Sequence, residues 1–191
     1  MISVVLVDDH PALRAGLFTV LRAEPGIVPQ AAVSSPREAL AELERGRPDL
    51  VLLDYHLQEG DGLTLCHRLK SRADPPQVMI YSAYADERLT IPAMVAGADG
   101  VANKAAPAEE LFEAIRIIAK GGSLLPPVSR ELMEVAGSRL EAEDLPILGM
   151  IMDRTDRAGI AEVLRVSGAE LEERIIRMLG ALRVETPGVA A

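Results

Sequence analysis

The sequence contains few of the residues that mark secreted, membrane-spanning or DNA-coating proteins. Its 191 residues include one cysteine, no tryptophan and 3 % aromatic residues. The single cysteine, Cys66, allows no internal disulfide and fits a reducing compartment. The longest hydrophobic run, residues 145–152, is far shorter than the about 20 residues that a membrane span needs. The N-terminus has no basic segment and leads directly into Asp8 and Asp9, so we expect a cytoplasmic protein without a signal peptide or membrane contact.

Positive charge is also scarce. The chain has 20 Lys and Arg against 29 Asp and Glu, a net charge of −9. Because phosphate backbones attract basic surfaces, nothing in this balance suggests a general polyanion binder. Hydrophobic residues nevertheless make up 49 % of the chain, more than a disordered chain contains. The length suits one large globular domain or two small ones.

Residues 1–120 alternate between short hydrophobic runs and amphipathic stretches. The hydrophobic runs predict strands at residues 2–7, 27–33, 50–53, 78–82 and 100–103. The amphipathic stretches predict helices at residues 11–23, 36–46, 63–71, 86–96 and 107–120. Strands without a polar face that alternate with helices are typical of a parallel sheet covered on both faces. We therefore predict one doubly wound α/β domain.

The pattern changes at residues 121–127, whose glycines and prolines predict a linker. No strand pattern recurs after it, and helices are predicted at residues 128–137, 141–152, 157–164 and 168–182. Asp156 and Ser167 are placed to cap the last two of these helices. We therefore predict a small all-α domain over residues 128–191.

Polar residues follow the predicted strands where the strands end. In chain order they are Asp8, Asp9, Asp54, Ser82 and Lys104. In open parallel sheets, ligands bind beyond the carboxyl ends of the strands. Three carboxylates gathered there would each tend to hold a proton unless a cation lay among them. Mg²⁺ suits such a place, because it takes oxygen ligands from carboxylates, water and phosphate.

Five stretches together resemble the receiver domain of bacterial two-component response regulators. They are Asp8–Asp9, Leu52–Leu53–Asp54, Gly60–Asp61–Gly62, Ser82–Ala83 and Lys104. The resemblance covers residues 1–120 and implies a flavodoxin-like sheet of five parallel strands in the order 2-1-3-4-5. In that order the first and third strands are neighbours, so the three carboxylates would meet at one crevice.

The resemblance also implies a role for each residue. Asp54 would accept a phosphoryl group from a sensor histidine kinase. The Mg²⁺ ligands would be Asp8, Asp9, Asp54 and the backbone carbonyl of His56. Ser82 and Lys104 would bind the phosphoryl oxygens, and Ala83 is small enough to leave access. Positioning and charge neutralisation carry such a transfer, and the receiver is not a turnover enzyme.

The sequence departs from the receiver pattern at the expected switch. Many receivers carry an aromatic residue three positions before the lysine, where this chain has Val101. The aromatic residue expected nearest the site is Tyr84, two residues after Ser82. Gln58 and Ala105 stand where prolines are usual. We therefore expect a switch that uses a different set of side-chain rotamers.

Two other kinds of site fit the residues less well. A phosphatase with Asp54 as nucleophile would need a second acidic residue two positions on, where His56 stands. His10, His56 and His67 lack metal-ligand spacing and have no clustered acidic ligands for zinc, so we expect them at helix starts or on the surface. Cys66 lies on a predicted helix without a matched base and is expected to be a small hydrophobic residue.

Residues 140–184 resemble the helix-turn-helix output domain of LuxR/NarL-type regulators. The matching positions are Ile160–Ala161–Glu162–Val163–Leu164, Val166–Ser167, Leu171, Met178–Leu179, Leu182 and Val184. The hydrophobic positions of the last helix recur at helical spacing and should pack on the two helices before it. Of the neighbours Ile175 and Ile176, one is expected to be exposed. The fourth helix of the family, commonly a dimer contact, should follow Val184, but residues 185–191 do not predict one, so we expect a divergent output domain.

The last predicted helix occupies the position of a DNA-recognition helix. Its candidate DNA-contacting residues are Glu170, Glu172, Glu173, Arg174 and Arg177, with a net charge of 2 − 3 = −1. Residues 128–191 carry eight arginines, no lysine and twelve acidic residues, a net charge of −4. Carboxylates repel phosphates and can only accept a hydrogen bond from a cytosine amine.

Two functions therefore stay open. The family resemblance predicts a transcription regulator that is controlled by phosphorylation and binds DNA. The residue chemistry predicts instead a receiver with a degenerate output domain that acts through protein–protein contacts. The expected partners are a sensor histidine kinase, DNA in the first case, and a second copy of the chain in a homodimer. DNA affinity that falls steeply with rising salt would distinguish the first function.

Overall fold

The computed structural model describes residues 1–83 and 85–184. Within them, the strands are β1 (Ile2–Val7), β2 (Ile27–Val33), β3 (Leu50–Asp54), β4 (Gln77–Ser82) and β5 (Gly100–Asn103). The helices are α1 (Pro11–Ala23), α2 (Pro36–Arg45), α3 (Gly62–Lys70), α4 (Thr90–Ala96), α5 (Ala108–Ala119), α6 (Arg130–Gly137), α7 (Leu145–Met152), α8 (Arg157–Leu164) and α9 (Gly168–Ala181). None of the helices in this part of the chain is long and apolar enough to cross a membrane.

The five strands form one parallel sheet in the order β2-β1-β3-β4-β5. The predicted doubly wound fold is therefore confirmed. The central strand β3 pairs with β1 and β4, so that Val51 lies between Val5 and Val78. This order places the carboxyl ends of β1 and β3 side by side.

Both faces of the sheet are covered, because side chains of each strand alternate between two hydrophobic clusters. One cluster, with α1 and α5, contains Val4, Leu6, Leu50, Leu52, Met79, Leu17, Leu21, Ile115 and Ile118. The other, with α2, α3 and α4, contains Val5, Val7, Val51, Leu53, Val78, Ile80, Ala39, Leu43, Leu63 and Leu69. Each fully buried Leu or Val stabilises the fold by about 1.5–3 kcal/mol, which explains strands with no polar face.

The predicted helix caps are present. The Asp156 carboxylate accepts a hydrogen bond from the Gly159 amide at 2.7 Å, and the Ser167 hydroxyl accepts one from the Glu170 amide at 3.1 Å. These bonds satisfy backbone donors that the first helical turn leaves without partners.

Two predicted helices begin differently. The helix predicted at residues 86–96 is a 3-10 turn, Glu87–Leu89, followed by α4. Pro92 in the first turn of α4 has no N–H and cannot donate the bond that would extend a helix from residue 86. The helix predicted at residues 141–152 is divided in the same way, with a 3-10 turn at Ala142–Asp144 before α7.

The helices after residue 127 pack on the α3–α4 side of the sheet. Helices α6, α7 and α9 all contact α4, and α9 also contacts α3. Ile175 of α9 belongs to the same buried cluster as Cys66 and Leu69 of α3, and as predicted its neighbour Ile176 is exposed, at 51 %. Cys66 is a buried hydrophobic residue, as expected. One hydrophobic core therefore continues from the sheet into the helical region.

The segment before α6 also contacts the sheet. Leu124 lies beside β5, where its carbonyl accepts a hydrogen bond from the Val101 amide at 3.1 Å. Its own amide donates to the Asp99 carbonyl at 2.8 Å. The chain therefore leaves α5 along the edge of the sheet.

Candidate functional site

The sheet brings four of the predicted site residues together at its carboxyl edge. Asp8 follows β1, Asp54 ends β3, Ser82 ends β4 and Lys104 follows β5. The carboxylates are withdrawn from water, with Asp8 1 % and Asp54 3 % exposed. Ser82 is also buried. The edge therefore concentrates negative charge where water screens it poorly.

Lys104 connects two of the carboxylates. Its Nζ lies 2.7 Å from Asp8 Oδ2 and 2.7 Å from Asp54 Oδ2. Its backbone amide donates to the Ser82 carbonyl at 2.9 Å, which ties the ends of β4 and β5 together. The ammonium group also lies 5.9 Å from the centroid of the Tyr81 ring, within range of a cation–π contact.

The pKa values of Asp54 and Lys104 show what holds this arrangement. Burial raises the pKa of Asp54 above its ordinary value, and the hydrogen bond and charge of Lys104 counteract part of that shift. Burial alone would lower the pKa of Lys104, but its hydrogen bonds to Asp54 and Asp8 raise the pKa above the ordinary value. The hydrogen bonds to Asp54 and Asp8 therefore favour the charged form of Lys104, and Lys104 in turn favours the carboxylate form of Asp54.

Backbone amides orient the three carboxylates. The His10 amide donates to Asp8 Oδ1 at 2.8 Å, and the Gln58 amide donates to Asp9 Oδ2 at 2.9 Å. The His56 amide donates to Asp54 Oδ1 at 3.3 Å. Backbone donors therefore hold one oxygen of each carboxylate, while the Lys104 side chain binds the other oxygens of Asp8 and Asp54.

Sequence reasoning missed the position of His10. It does begin α1, as expected, but its ring turns back over the acidic residues, with Nδ1 2.8 Å from Asp9 Oδ1. The expectation that no histidine clusters with acidic residues was therefore wrong. Asp8, Asp9, His10 and Asp54 each place one ligand atom within 4.8 Å of the others.

The donor set fits the expected divalent cation. Asp8, Asp9 and Asp54 contribute three negative charges and Lys104 one positive charge, which leaves an excess of two negative charges. A divalent cation would neutralise this excess, and carboxylate oxygens are the ligands that Mg²⁺ prefers. The three carboxylates could hold such an ion, while the contribution of the His56 carbonyl stays a prediction.

The Gly60–Asp61–Gly62 stretch brings the chain close to Asp54. A Cβ atom on Gly62 would lie 2.2 Å from the Asp54 carbonyl oxygen, which only glycine avoids. Asp61 caps α3 by accepting a hydrogen bond from the Thr64 amide at 2.8 Å. Its other oxygen lies 2.5 Å from Arg183, just beyond α9.

The expected switch residues are placed only in part. Val101 is half-buried on β5 and Ala83 is exposed beyond β4, whereas Tyr84 lies outside the described residues. The aromatic ring that contacts Lys104 is Tyr81, which sequence reasoning did not select. The sequence does not indicate this contact, because a residue inside a hydrophobic strand such as β4 is expected in the core.

A second aromatic residue that sequence reasoning missed is Tyr55, directly after Asp54. Its ring meets the His56 ring edge-on, with the centroids 4.5 Å apart. Its hydroxyl accepts a hydrogen bond from the Val184 amide at 3.0 Å and donates one to the Val184 carbonyl at 3.2 Å. The end of the described chain is therefore bound next to Asp54.

The candidate DNA-contacting residues divide into three groups. Glu170 and Glu173 are exposed on α9. Arg174 and Arg177 both bind the buried carboxylate of Asp144, at 2.8 and 3.1 Å. Both arginines are therefore engaged within the helical region. Residues 185–191, where a fourth helix was predicted to be missing, lie outside the described residues.

The third group is Glu172 alone, which faces α3. Its Oε2 lies 2.7 Å from His67 Nε2 and accepts a hydrogen bond from the Ser71 hydroxyl at 3.0 Å. Arg157 of α8 lies 3.0 Å from Glu172 Oε1 and 2.9 Å from His67 Nδ1. The four side chains connect α3, α8 and α9.

His67 is therefore not on the surface, contrary to expectation. It is 2 % exposed, because the helical region covers α3. Burial and the charge of Arg157 lower its pKa, while Glu172 acts in the opposite direction. A neutral ring can accept a hydrogen bond from Arg157 at Nδ1, whereas Nε2 lies 2.7 Å from Glu172 Oε2 without a hydrogen bond of good geometry among the described residues.

Comparisons with known proteins agree with this fold. The family described as "Response regulator receiver domain" matches residues 4–116. The DNA-binding transcriptional activator DevR/DosR of Mycobacterium tuberculosis is 29 % identical, covering 100 % of this chain and 93 % of the relative. The nitrate/nitrite response regulator NarL of Escherichia coli is 25 % identical, covering 99 % of this chain and 93 % of that protein. The crystal structure of a LuxR-family two-component response regulator from Aurantimonas has a TM-score of 0.61 and 26 % identity, covering 73 % of this chain and 98 % of that one.

The chain belongs to the response regulator receiver family, within the LuxR/NarL-type response regulators. Its relatives in this group are regulators rather than typical turnover enzymes. The phosphatase alternative has no support among them.

Proposed function

We propose that Asp54 accepts a phosphoryl group from a sensor histidine kinase and that this modification controls transcription through α6–α9. The observation that supports this proposal is the buried pair of carboxylates, Asp54 and Asp8, joined by Lys104 at 2.7 Å from each. A lysine that binds two carboxylates at a sheet edge can exchange one of them for a new anion, such as a phosphoryl group, and still stay bound to the other.

The reaction is an in-line displacement. A carboxylate oxygen of Asp54 attacks the phosphorus atom of a phosphohistidine, the P–N bond breaks, and the electron pair returns to the imidazole, which takes up a proton. The product is an acyl phosphate on Asp54. Asp54 must be ionised for this step, and Lys104 opposes the burial that would protonate it.

Asp8, Asp9 and Asp54 would hold Mg²⁺ beside the reacting oxygen. When bound, the ion supplies positive charge that offsets the charge of the transferring phosphoryl group. The chain itself orients the carboxylates through the backbone amides of His10, Gln58 and His56. This fixed geometry lowers the reorganisation that transfer requires.

After transfer, Lys104 would pair with a phosphoryl oxygen instead of the Asp54 carboxylate, and the Ser82 hydroxyl would donate to another. Because the Lys104 amide is bound to the Ser82 carbonyl, both movements act on the ends of β4 and β5. Helix α4 follows β4 and packs directly against α9. A shift at this edge therefore biases the docking of the helical region.

Transcriptional control is proposed from the relatives and from the position of α9. The M. tuberculosis relative, which matches the whole chain, is a DNA-binding transcriptional activator. In the described arrangement α9 is docked on α3 and α4, where it could not enter a major groove. We propose that phosphorylation releases it, with a second copy of the chain as a partner on DNA.

The decisive experiment is phosphoryl uptake from acetyl phosphate in the presence of Mg²⁺, followed by intact-protein mass. The wild-type chain should gain one phosphoryl group, and Asp54→Asn should gain none. Asp74→Asn is the matched control, because Asp74 is an exposed aspartate whose described partner is the surface residue Arg47. Labelling that persists in Asp54→Asn would overturn the proposal, and so would equal loss in Asp74→Asn.

A further inference from the structure

We propose that His10 Nδ1 is a further ligand in the cation site of Asp8, Asp9 and Asp54, and that it shifts the preference of the site from Mg²⁺ towards first-row transition cations. This inference rests on the proposed function, since it concerns the same acidic edge. It adds a nitrogen ligand and a metal preference that the carboxylates alone would not give.

The distances around His10 fit one coordination sphere. Its Nδ1 lies 2.8 Å from Asp9 Oδ1, 3.5 Å from Asp8 Oδ1 and 3.8 Å from Asp54 Oδ2. In a six-coordinate site with bonds of about 2.1 Å, adjacent ligands lie about 3.0 Å apart and opposite ligands about 4.2 Å apart. The 2.8 Å separation is close to that of adjacent ligands, and the 3.5 and 3.8 Å separations lie between the two values. Small side-chain movements would therefore let the four residues share one ion.

One buried oxygen of the cluster, Asp9 Oδ1, has no hydrogen-bond donor of good geometry that would compete with such an ion among the described residues. Asp9 Oδ2 accepts the Gln58 amide, but Asp9 Oδ1 is buried and accepts no hydrogen bond of good geometry from the described residues. The group found beside it is the His10 ring. A buried carboxylate oxygen without a donor is costly unless a cation or a proton donor satisfies it.

Within the described residues, the imidazole ring makes no helix-capping hydrogen bond that would compete with metal binding. His10 directly precedes α1 but makes no side-chain capping bond, and its hydrogen bond to Asp8 comes from its backbone amide. The side chain is 66 % exposed. An ion could therefore reach the ring from solvent.

The expected metal preference follows from ligand chemistry. Carboxylate and water ligands suit Mg²⁺ and Mn²⁺, whereas imidazole nitrogen binds more strongly along the series from Mn²⁺ to Co²⁺ and Ni²⁺. A site with three carboxylates and one imidazole should therefore bind Co²⁺ more tightly than a site with carboxylates alone. Mg²⁺, a hard ion, should gain little from the ring.

The test measures metal binding directly on the full, unphosphorylated chain. Calorimetric titrations with Mg²⁺ and Co²⁺, at one fixed pH, would compare wild type with His10→Ala. We expect His10→Ala to weaken Co²⁺ binding by at least about tenfold, while Mg²⁺ affinity changes by less than about twofold. Leu13→Ala, on the exposed side of the same helix, should change neither affinity.

A spectroscopic readout separates a ligand from a merely structural residue. With Mn²⁺ bound, pulsed electron paramagnetic resonance should show nitrogen modulation from a coordinated imidazole in the wild type and none in His10→Ala. Equal Mg²⁺-to-Co²⁺ preference in both chains, or no nitrogen signal in the wild type, would overturn the role of His10.

Asp9→Asn distinguishes failure of this inference from failure of the proposed function. If Asp9→Asn weakens Mg²⁺ binding while His10→Ala leaves the metal preference unchanged, the acidic site stands and only the role of His10 falls. If Asp9→Asn leaves Mg²⁺ binding unchanged, the cation site itself is refuted, and both proposals fall together.

Discussion

The Tyr55 hydroxyl binds both backbone polar groups of Val184, accepting from the amide at 3.0 Å and donating to the carbonyl at 3.2 Å. Tyr55 directly follows Asp54, and Val184 lies just beyond α9. An ion pair between Arg183 and Asp61, at 2.5 Å, lies beside this contact. The end of α9 is thus fixed to the residue next to the proposed phosphoacceptor, and the proposed phosphorylation would act on the helical region through this contact.

Tyr55→Phe should loosen this connection without damaging the core. The ring stays buried, but Val184 loses both hydrogen bonds, at a cost of about 1–3 kcal/mol. Hydrogen exchange of the Val184 amide and of the last turn of α9 should accelerate, and phosphoryl uptake should be unchanged.

Tyr81→Phe is the matched control, because Tyr81 is also a buried tyrosine at this edge but contacts Lys104. It should leave exchange at α9 as in the wild type. Unchanged exchange in Tyr55→Phe would show that the hydroxyl does not hold Val184.

The buried His67 predicts a loss of stability in mild acid. Burial and Arg157 lower its folded pKa, so the unfolded chain binds a proton more readily, although Glu172 opposes the shift. The stability associated with neutral His67 is therefore present above its unfolded pKa of about 6.5 and is lost as the pH falls through the folded pKa.

His67→Gln should flatten this dependence, since glutamine does not titrate and keeps a donor for Glu172. Urea unfolding between about pH 7.5 and about pH 5.5 would compare the two chains. The wild type should lose more stability than the variant over that interval. Parallel curves would mean that His67 does not carry the effect.

Gly62→Ala should displace the backbone of Asp54, the proposed phosphoacceptor. The new Cβ would meet the Asp54 carbonyl oxygen at 2.2 Å, so the backbone must move, which costs about 1–3 kcal/mol or more. Both stability and phosphoryl uptake should fall. Gly149→Ala, in α7 with no atom within 4 Å of its new Cβ, should instead stabilise the chain by about 0.5–1 kcal/mol. If Gly62→Ala changed neither stability nor phosphoryl uptake, the close approach of Gly62 to the Asp54 carbonyl would be refuted.

DNA binding should depend on the state of Asp54. Fluorescence anisotropy with a labelled duplex of mixed sequence, at several salt concentrations, would measure it with and without beryllofluoride and Mg²⁺. We expect tighter binding with beryllofluoride, falling steeply as salt rises. Asp54→Asn should show no response. Equal affinity in both states would contradict release of α9.

The fold could be predicted because each signal was local. Hydrophobic strands such as Leu50–Asp54 and helix caps such as Ser167 can be predicted from a few consecutive residues. Asp54 and Lys104 could be selected because they end strands, and parallel strands bring their carboxyl ends together. The two helix starts that differed depend on a single 3-10 turn each, which hydrophobic spacing does not resolve.

What escaped prediction depended on side-chain direction or on distant packing. Nothing in the sequence shows that the ring of His10 turns back over Asp9 rather than into solvent. His67 is buried only because α9 lies on α3, a contact between residues about a hundred positions apart. Tyr55 binds Val184 for the same reason. Such contacts are determined by tertiary packing and produce no periodic pattern in the sequence.

The most direct test of the account locates the phosphoryl group itself. After incubation with acetyl phosphate and Mg²⁺, borohydride reduction converts a phosphorylated aspartate to homoserine, and peptide mass spectrometry identifies the residue. We expect conversion at Asp54 alone. Conversion at Asp8 or Asp9, or at no aspartate, would contradict it.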